Sequence, residues 1–170
     1  ARSIASVQNM DELLPAITQL VSEKFGYYHA GIFLLDENQE YALLRASNSE
    51  GGQKMLERQH KLKLDTNSIV GYTTLRGESR IALDVGADAV FFNNPDLPDT
   101  RSEMALPLRV GGNVFGALDI QSTESNAFAQ EDVNVASILA DQIAIAIENA
   151  RLFSEAHIAL RNSEETFSKY

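Results

Sequence analysis

Ser102-Glu103-Met104-Ala105-Leu106-Pro107-Leu108-Arg109-Val110-Gly111-Gly112-Asn113-Val114-Phe115-Gly116-Ala117-Leu118-Asp119-Ile120-Gln121-Ser122 decides the fold. Two β-rich runs flank Gly111-Gly112-Asn113, residues that reach the positive φ angles of a tight turn, so the stretch reads as a hairpin. Alternation sorts each strand into two faces. Met104, Leu106 and Leu108 oppose Glu103, Ala105, Pro107 and Arg109. In the second strand Val114, Gly116, Leu118 and Ile120 oppose Phe115, Ala117, Asp119 and Gln121. The all-apolar sets belong under helices, where Gly116 would permit close helix approach. The mixed sets belong on a face closed by something other than a helix layer.

Working outward, residues 28–35 form a largely apolar strand, Asp36-Glu37-Asn38 is turn chemistry, and residues 41–46 return as a second strand. Residues 47–52 read as a small polar loop, and residues 54–63, with Lys54, Arg58, His60, Lys61 and Lys63, as a solvated loop or short helix face. Ser68 caps a short helix through Ile69, Val70 and Leu75 that closes at Gly77, and residues 80–83 form a short strand. Residues 84–100, rich in Asp, Asn and Pro around Phe91-Phe92, form a long loop with a helical turn, a length that in ordered chains usually signals function.

At the N-terminal side, Asn9 and Glu12 form a helix-start pair, and Leu14, Ile17, Val21 and Phe25 recur at helical spacing before Gly26. Pro15 either kinks this helix or separates an earlier one from a new start near Asp11. A last helix starts near Gln130 or Glu131 and runs at least to Arg161, roughly 45 Å at 1.5 Å per residue. Hairpins and short connections joined to terminal helices imply an α+β fold with an antiparallel sheet, not a doubly wound one.

Composition narrows the chemistry. The 170 residues suit one domain plus an appended helix, and 44% hydrophobic content suits a packed core. There is no cysteine, which excludes disulfides, thiolate metal sites, thiol nucleophiles and thioether-linked cofactors. Net charge of −10 disfavours nucleic acid and anionic membrane surfaces. No apolar run is long enough to span a bilayer and no signal peptide opens the chain, so a cytoplasmic segment of a longer protein is expected.

Several blocks, taken in order, resemble a known family. Gly26-Tyr27-Tyr28-His29-Ala30-Gly31-Ile32-Phe33-Leu34-Leu35-Asp36, then Ser68-Ile69-Val70-Gly71-Tyr72 with Arg76-Gly77-Glu78, are similar to blocks of GAF domains in bacterial sensor proteins. So are residues 100–108, residues 114–122, and Ala127-Phe128-Ala129-Gln130-Glu131-Asp132. The resemblance implies a GAF-like fold: a six-stranded antiparallel sheet, terminal helices on one face, and loops enclosing a small-molecule pocket on the other. The expected division is an upstream linker or helix end over residues 1–9, a GAF domain over 10–150, and a signalling helix over 151–170 leading into a further domain. Residues 163–170 resemble the lead-in to a PAS domain, as in a sensor histidine kinase or a cyclic-dinucleotide synthase.

The family's particular chemistries are mostly absent. Cyclic-nucleotide-binding members carry an Asn-Lys pair where this chain has Gln121 and Ser122, and Val133 stands in place of an expected Glu. Phe128 and Asp132 match, but read better as a hydrophobic staple and a favourable charge in the first turn of the long helix. Bilin attachment and methionine sulfoxide reduction in this family both use cysteine. Haem would need an axial histidine, and His29, His60 and His157 are poor candidates: His29 packs beside Tyr27 or Tyr28, His60 sits in the basic loop, and His157 lies late in the helix. No cofactor and no metal are expected, since no two histidines stand at ligand spacing. His157-Ile158 only faintly resembles a phospho-accepting box, because the acidic residue that should follow is missing.

The expected ligand-binding residues are therefore Glu103, Asp119 and Gln121 on the mixed sheet face, with Phe92 and Arg101 from the long loop. The competing reading has these polar groups solvated or bonded to loop amides. Along the last helix Leu139, Ile143, Ala146, Ala150, Phe153, His157 and Leu160 are spaced as a heptad seam, which predicts a parallel homodimer. A plain helix frayed after Arg151 is the alternative. The functional expectation is a non-catalytic sensory module that binds an unidentified small molecule and relays its state through that helix. The alternative is a purely structural dimerisation and relay module without ligand. No nucleophile motif, phosphate loop or metal cluster points to an enzyme.

Overall fold

The computed structural model describes residues 9–25, 28–88 and 93–168. Helix α1 spans Met10–Phe25, with Pro15 inside it. Its start is fixed by Asn9, whose side-chain oxygen accepts from the Asp11 amide at 2.8 Å, so Pro15 neither divides the helix nor begins it. Gly26, expected as its cap, lies outside the described residues. Strand β1 (His29–Leu35) and strand β2 (Tyr41–Ser47) form the first hairpin, tied at its turn by the Asp36 carboxylate accepting from the Glu40 amide.

The region expected as polar loop is structured instead. Ser49 caps helix α2 (Glu50–Glu57) by accepting from the Gly52 amide, and strand β3 (Lys61–Lys63) then pairs with β2. The Gly51-Gly52 pair hides this helix from a propensity argument, because glycine is a poor helix former. Helix α3 (Ile69–Arg76) is capped by Ser68 and closes at Gly77, as expected. Strand β4 (Arg80–Ala82) precedes a short 3-10 turn (Val85–Ala87) within the long loop. Strands β5 (Ser102–Val110) and β6 (Asn113–Ser122) make the expected hairpin, with Gly111 and Gly112 at φ of 59° and 81°. Helix α4 runs Gln130–Ser168.

The sheet has six strands in the order β3-β2-β1-β6-β5-β4, every neighbouring pair antiparallel. Leu13, Leu14, Ile17 and Val21 of α1 and Ala136, Ala140, Ile143, Ala144 and Ile147 of α4 pack on Met104, Leu106, Leu108, Leu118 and Ile120. Phe128 is buried in the same cluster, and Asp132 accepts from the Ala129 amide at 2.9 Å in the first turn of α4. The opposite face carries Phe33, Ala42, Leu44, Ala105 and Ala117 under Met55 of α2, Ile69 and Val70 of α3, and Leu97.

Two details of the β5–β6 hairpin depart from simple alternation. The pairing shifts between Leu108–Gly116 and Arg109–Val114, leaving Phe115 as an extra residue. Phe115 consequently packs toward the helix layer, while Val114 stands against Gly77 at the end of α3. Gly116 serves strand approach, not helix approach: a side chain there would strike the Phe33 carbonyl of β1.

The heptad expectation for α4 also changes. Ile143 and Ala150 are buried in the domain's own core, and Leu139 packs against it. The side chains turned outward along the same length are Ile138, Ile145 and Leu152, at 62%, 54% and 48% exposure and seven residues apart. The helix layer is lined by small residues, Ala136, Ala140 and Ala144, which let α4 lie close to the sheet and fix its rotation. Beyond Ala150, residues 151–166 are all exposed, among them Phe153, His157 and Leu160. The rings of Phe153 and His157 stack at 6.4 Å. Among the described residues no helix is long and apolar enough to cross a membrane.

Candidate functional site

Strand register builds the site. Glu103 stands opposite Gln121 across β5–β6, and Gln121 opposite His29 across β6–β1. Two residues along, Asp119 shares the face of Gln121. Glu103, Asp119, Gln121 and His29 thus converge on one patch of the sheet, all buried; Asp119 is 1% exposed and Glu103 5%.

The Gln121 side chain organises this floor. Its Nε2 donates to Asp119 Oδ2 at 2.8 Å and to Glu103 Oε2 at 3.1 Å. Its Oε1 accepts from the Thr100 hydroxyl at 2.6 Å. The His29 ring bonds through Nδ1 to Ser49 Oγ at 2.6 Å, while its Nε2 points to Asp119 Oδ2 at 3.9 Å, too far for a hydrogen bond. His29 Nε2 and Asp119 Oδ1 are both buried without a hydrogen-bond partner. Buried polar atoms are seldom left so, and each such atom calls for an explanation.

The roof comes from the other layer. Asn94 donates to the Met55 sulfur at 3.4 Å, and Arg58 holds this segment down from outside. Arg58 Nε donates to Asp96 at 2.6 Å, Nη2 to Asn94 Oδ1 at 3.3 Å, and Nη1 lies 3.1 Å from His60 Nδ1. Between floor and roof is a cavity of about 20 Å³ lined by Glu103, Asp119, Gln121, His60, Asn94 and Ser68, with Phe33, Met55, Leu62, Ile69 and Val70 as its apolar walls.

Electrostatics in this space follow from burial. Desolvation pushes the Glu103 carboxyl well above the usual range, reinforced by the charge of Asp119, a hydrogen bond with it, and the charge of Asp88. Burial and the neighbouring Asp119 thus both favour the protonated form of Glu103. Burial lowers His29, partly offset by Asp119, and lowers His60 to about 4 with help from Arg58, so both imidazoles are neutral near pH 7. Arg80 is occupied by Asp88 at 2.8 Å. Among the described residues no lysine or arginine pairs with Glu103 or Asp119.

Of the expected ligand-binding residues, Glu103, Asp119 and Gln121 are brought together. Arg101 is not: its side chain is exposed, and only its backbone takes part, donating to the Ser122 carbonyl and accepting from Val85. Phe92 lies outside the described residues. His29 and His60, expected as packing and loop residues, are both buried beside the acids, and the His60 ring meets Phe33 edge-on at 6.0 Å. The available signal for His29 was its place two residues from Gly31 and four from Phe33 on one face of β1.

Among the described residues no group of three or more His, Asp or Glu side chains is arranged to hold a metal. With no cysteine in the chain, the arrangement can bind and exchange protons but offers no thiol chemistry.

Comparison with known proteins places this architecture. The chain is similar to the GAF domain of a phosphoenolpyruvate-protein phosphotransferase from Coxiella burnetii at 21% identity, covering 89% of this chain and 90% of that one, with a TM-score of 0.78. It is similar to free methionine-R-sulfoxide reductase from Neisseria meningitidis, solved with its substrate, at 20% identity, 88% and 84% coverage and a TM-score of 0.75. A segment of a methyl-accepting chemotaxis protein, residues 122 to 287, matches at 20% identity, 89% and 98% coverage and a TM-score of 0.70. No protein with a curated description matches the sequence. Likeness at these identities speaks for the fold alone; the family model for the GAF domain matches residues 7–148, and the chain belongs to the GAF domain family.

Proposed function

We propose that this domain is a non-catalytic regulatory module that binds a small molecule between the sheet and the α2–α3 layer and passes its state along α4. GAF domains are typically regulatory or sensory, and related folds occur in signalling proteins such as the chemotaxis protein above. The observation that carries the binding half is the buried Glu103–Asp119 pair, to which no lysine or arginine pairs among the described residues, on a floor whose roof is built from separate elements. Burying charge is costly, and retaining it against an apolar alternative makes sense where a ligand supplies the missing partner. Methionine sulfoxide reduction by the cysteine route does not extend to this chain.

The relay half rests on α4. A second copy packing in parallel would cover Ile138, Ile145 and Leu152, which recur at heptad spacing, and the apolar side chains Phe153 and Leu160 beyond the core. Leu139, Ile143 and Ala150 serve the domain itself, so the proposed seam lies one residue position away from the one the sequence suggests. The wider setting we propose is a cytoplasmic signalling protein of the sensor-kinase type with a PAS domain following, on the resemblance of residues 163–170. A structural dimer module without ligand is the second reading, favoured by the small cavity.

Native mass spectrometry of freshly purified protein tests both halves at once. A dimer carrying a co-purified small molecule supports the full reading. A ligand-free dimer that no metabolite stabilises supports the second, and a monomer at all concentrations removes the relay.

A further inference from the structure

Along the outward side of α4 six exposed residues recur at intervals of three and four: Val135, Ile138, Gln142, Ile145, Asn149 and Leu152. They form a heptad seam in which Ile138, Ile145 and Leu152 alternate with Val135, Gln142 and Asn149. None is charged, in a chain of 14 basic and 24 acidic residues. Two copies that each carry −10 repel, and a charge-free stripe is where they can meet. The stripe is not wholly apolar, because Gln142 and Asn149 interrupt it. An amide side chain both donates and accepts, so its complement is another copy of itself. A two-fold interface brings a residue on its axis against its own counterpart. That favours a second copy of this chain as the occupant, since an unrelated apolar helix would leave both amides buried and unanswered.

Resting on the reading of α4 as the helix that joins two copies, we propose that Gln142 and Asn149 fix the manner of joining: two strands, parallel and in register, each amide bonded to its counterpart. Both amides of both copies are then paired. Sliding one helix by seven residues keeps a single pair, Gln142 with Asn149, and leaves the other two amides facing Val135 and Ala156. Reversing one helix places the amides opposite the Ile and Leu positions, where nothing answers them. Reversal also lines up Asp141, Glu148 and Glu155, which flank the seam on one edge, against the same three of the second copy. Arg151 bonds Glu148 and Glu155 at 2.6 Å but brings one charge for two. In the parallel pair that edge instead faces the apolar positions 146, 153 and 160 of the second copy. Strand number follows from the same residues. Isoleucine at 138 and 145 with leucine at the alternate positions would favour three or four strands, and the amides hold the assembly at two.

The chain has no cysteine, so single introduced cysteines report the geometry without background. Ile138→Cys and Leu152→Cys versions of the whole chain are oxidised separately and as a mixture that has exchanged subunits. Each is expected to cross-link to itself and not to the other, because in the parallel pair the two sites lie about 21 Å apart along the helix. Gln142→Leu combined with Asn149→Leu alters two exposed positions and is expected to keep the native circular dichroism. It should tighten self-association by about tenfold or more, and admit species above the dimer in sedimentation equilibrium. Asn149→Asp accepts but cannot donate, and is expected to weaken the dimer by about tenfold or more at pH 7. A double-leucine variant that stays strictly dimeric at unchanged affinity overturns the role of the amides and leaves the relay reading standing. A 138–152 product overturns the parallel arrangement, and a wild-type chain that is monomeric at every concentration overturns the pairing itself; either takes the relay reading down as well.

Discussion

The two faces of the sheet are made by the same strands and obey different rules. Toward α1 and α4, β5 and β6 present Met104, Leu106, Leu108, Leu118 and Ile120 to a layer of mainly apolar side chains. One residue along each strand, Glu103, Ala105, Asp119 and Gln121 face α2, α3 and the long loop. Burial is just as complete on both sides. The helix face uses burial for cohesion, while the other uses it to hold charge away from water.

Breaking the first face is expected to give the largest effect. Leu118→Ala removes a fully buried side chain from the centre of the sheet and should cost about 3 kcal/mol in urea unfolding, with the slope of the transition unchanged. A loss below about 1 kcal/mol would mean that the helix layer repacks freely and the contrast is weaker than drawn.

The second face should answer to pH, with two groups pulling in opposite directions. Glu103 holds its proton more tightly folded than unfolded, so its contribution is full below the unfolded value near 4.5 and is lost as pH rises toward its raised folded value. Glu103→Gln, neutral at every pH, should flatten the decline in stability on the alkaline side. His60 behaves conversely. Its folded value of about 4 lies below the ordinary 6.5, so its contribution is present above 6.5 and is lost as pH falls through that interval. His60→Gln should remove that acid-side loss. Chemical unfolding from pH 4 to 9 in the two variants reads both slopes, and parallel curves for wild type and Glu103→Gln would count against a proton held on that carboxyl.

Smaller effects sharpen the boundary of the two layers. Ser68→Ala deletes the cap of α3 and should cost about 1 kcal/mol, felt on the chamber side without altering the helix layer. Ile145→Ser should change the stability of the single chain by less than about 0.5 kcal/mol, because its side chain is already half in water. The same substitution is expected to weaken self-association in sedimentation equilibrium, whereas an unchanged dimer would move the seam elsewhere.

What could be read in advance follows the range of the interactions. The β5–β6 hairpin and its two faces are local, and alternation alone brought Glu103, Asp119 and Gln121 to one side. His29 joins them only because β1 pairs with β6 at Gln121, a contact between strands far apart in the sequence that no local pattern encodes. His60 is buried by a helix, α2, whose Gly51-Gly52 start looks like loop. Which face of α4 packs on the domain is hard to read for a different reason. Two interleaved series, Leu139-Ile143-Ala146-Ala150 and Ile138-Gln142-Ile145-Asn149, have the same spacing, and periodicity cannot choose between them. The choice is made by the alanines at 136, 140 and 144, which allow the close approach that larger side chains would prevent.

Helix α4 also has a mechanical consequence. Its first half is gripped by the sheet, and residues 151–168 continue the same rod for about 27 Å. Tilting the gripped half by as little as 5° would swing the far tip by about 2 Å, enough to break one set of side-chain contacts and make another. Under the relay proposed above, a slight tilt of the gripped half emerges at the other end as a discrete step.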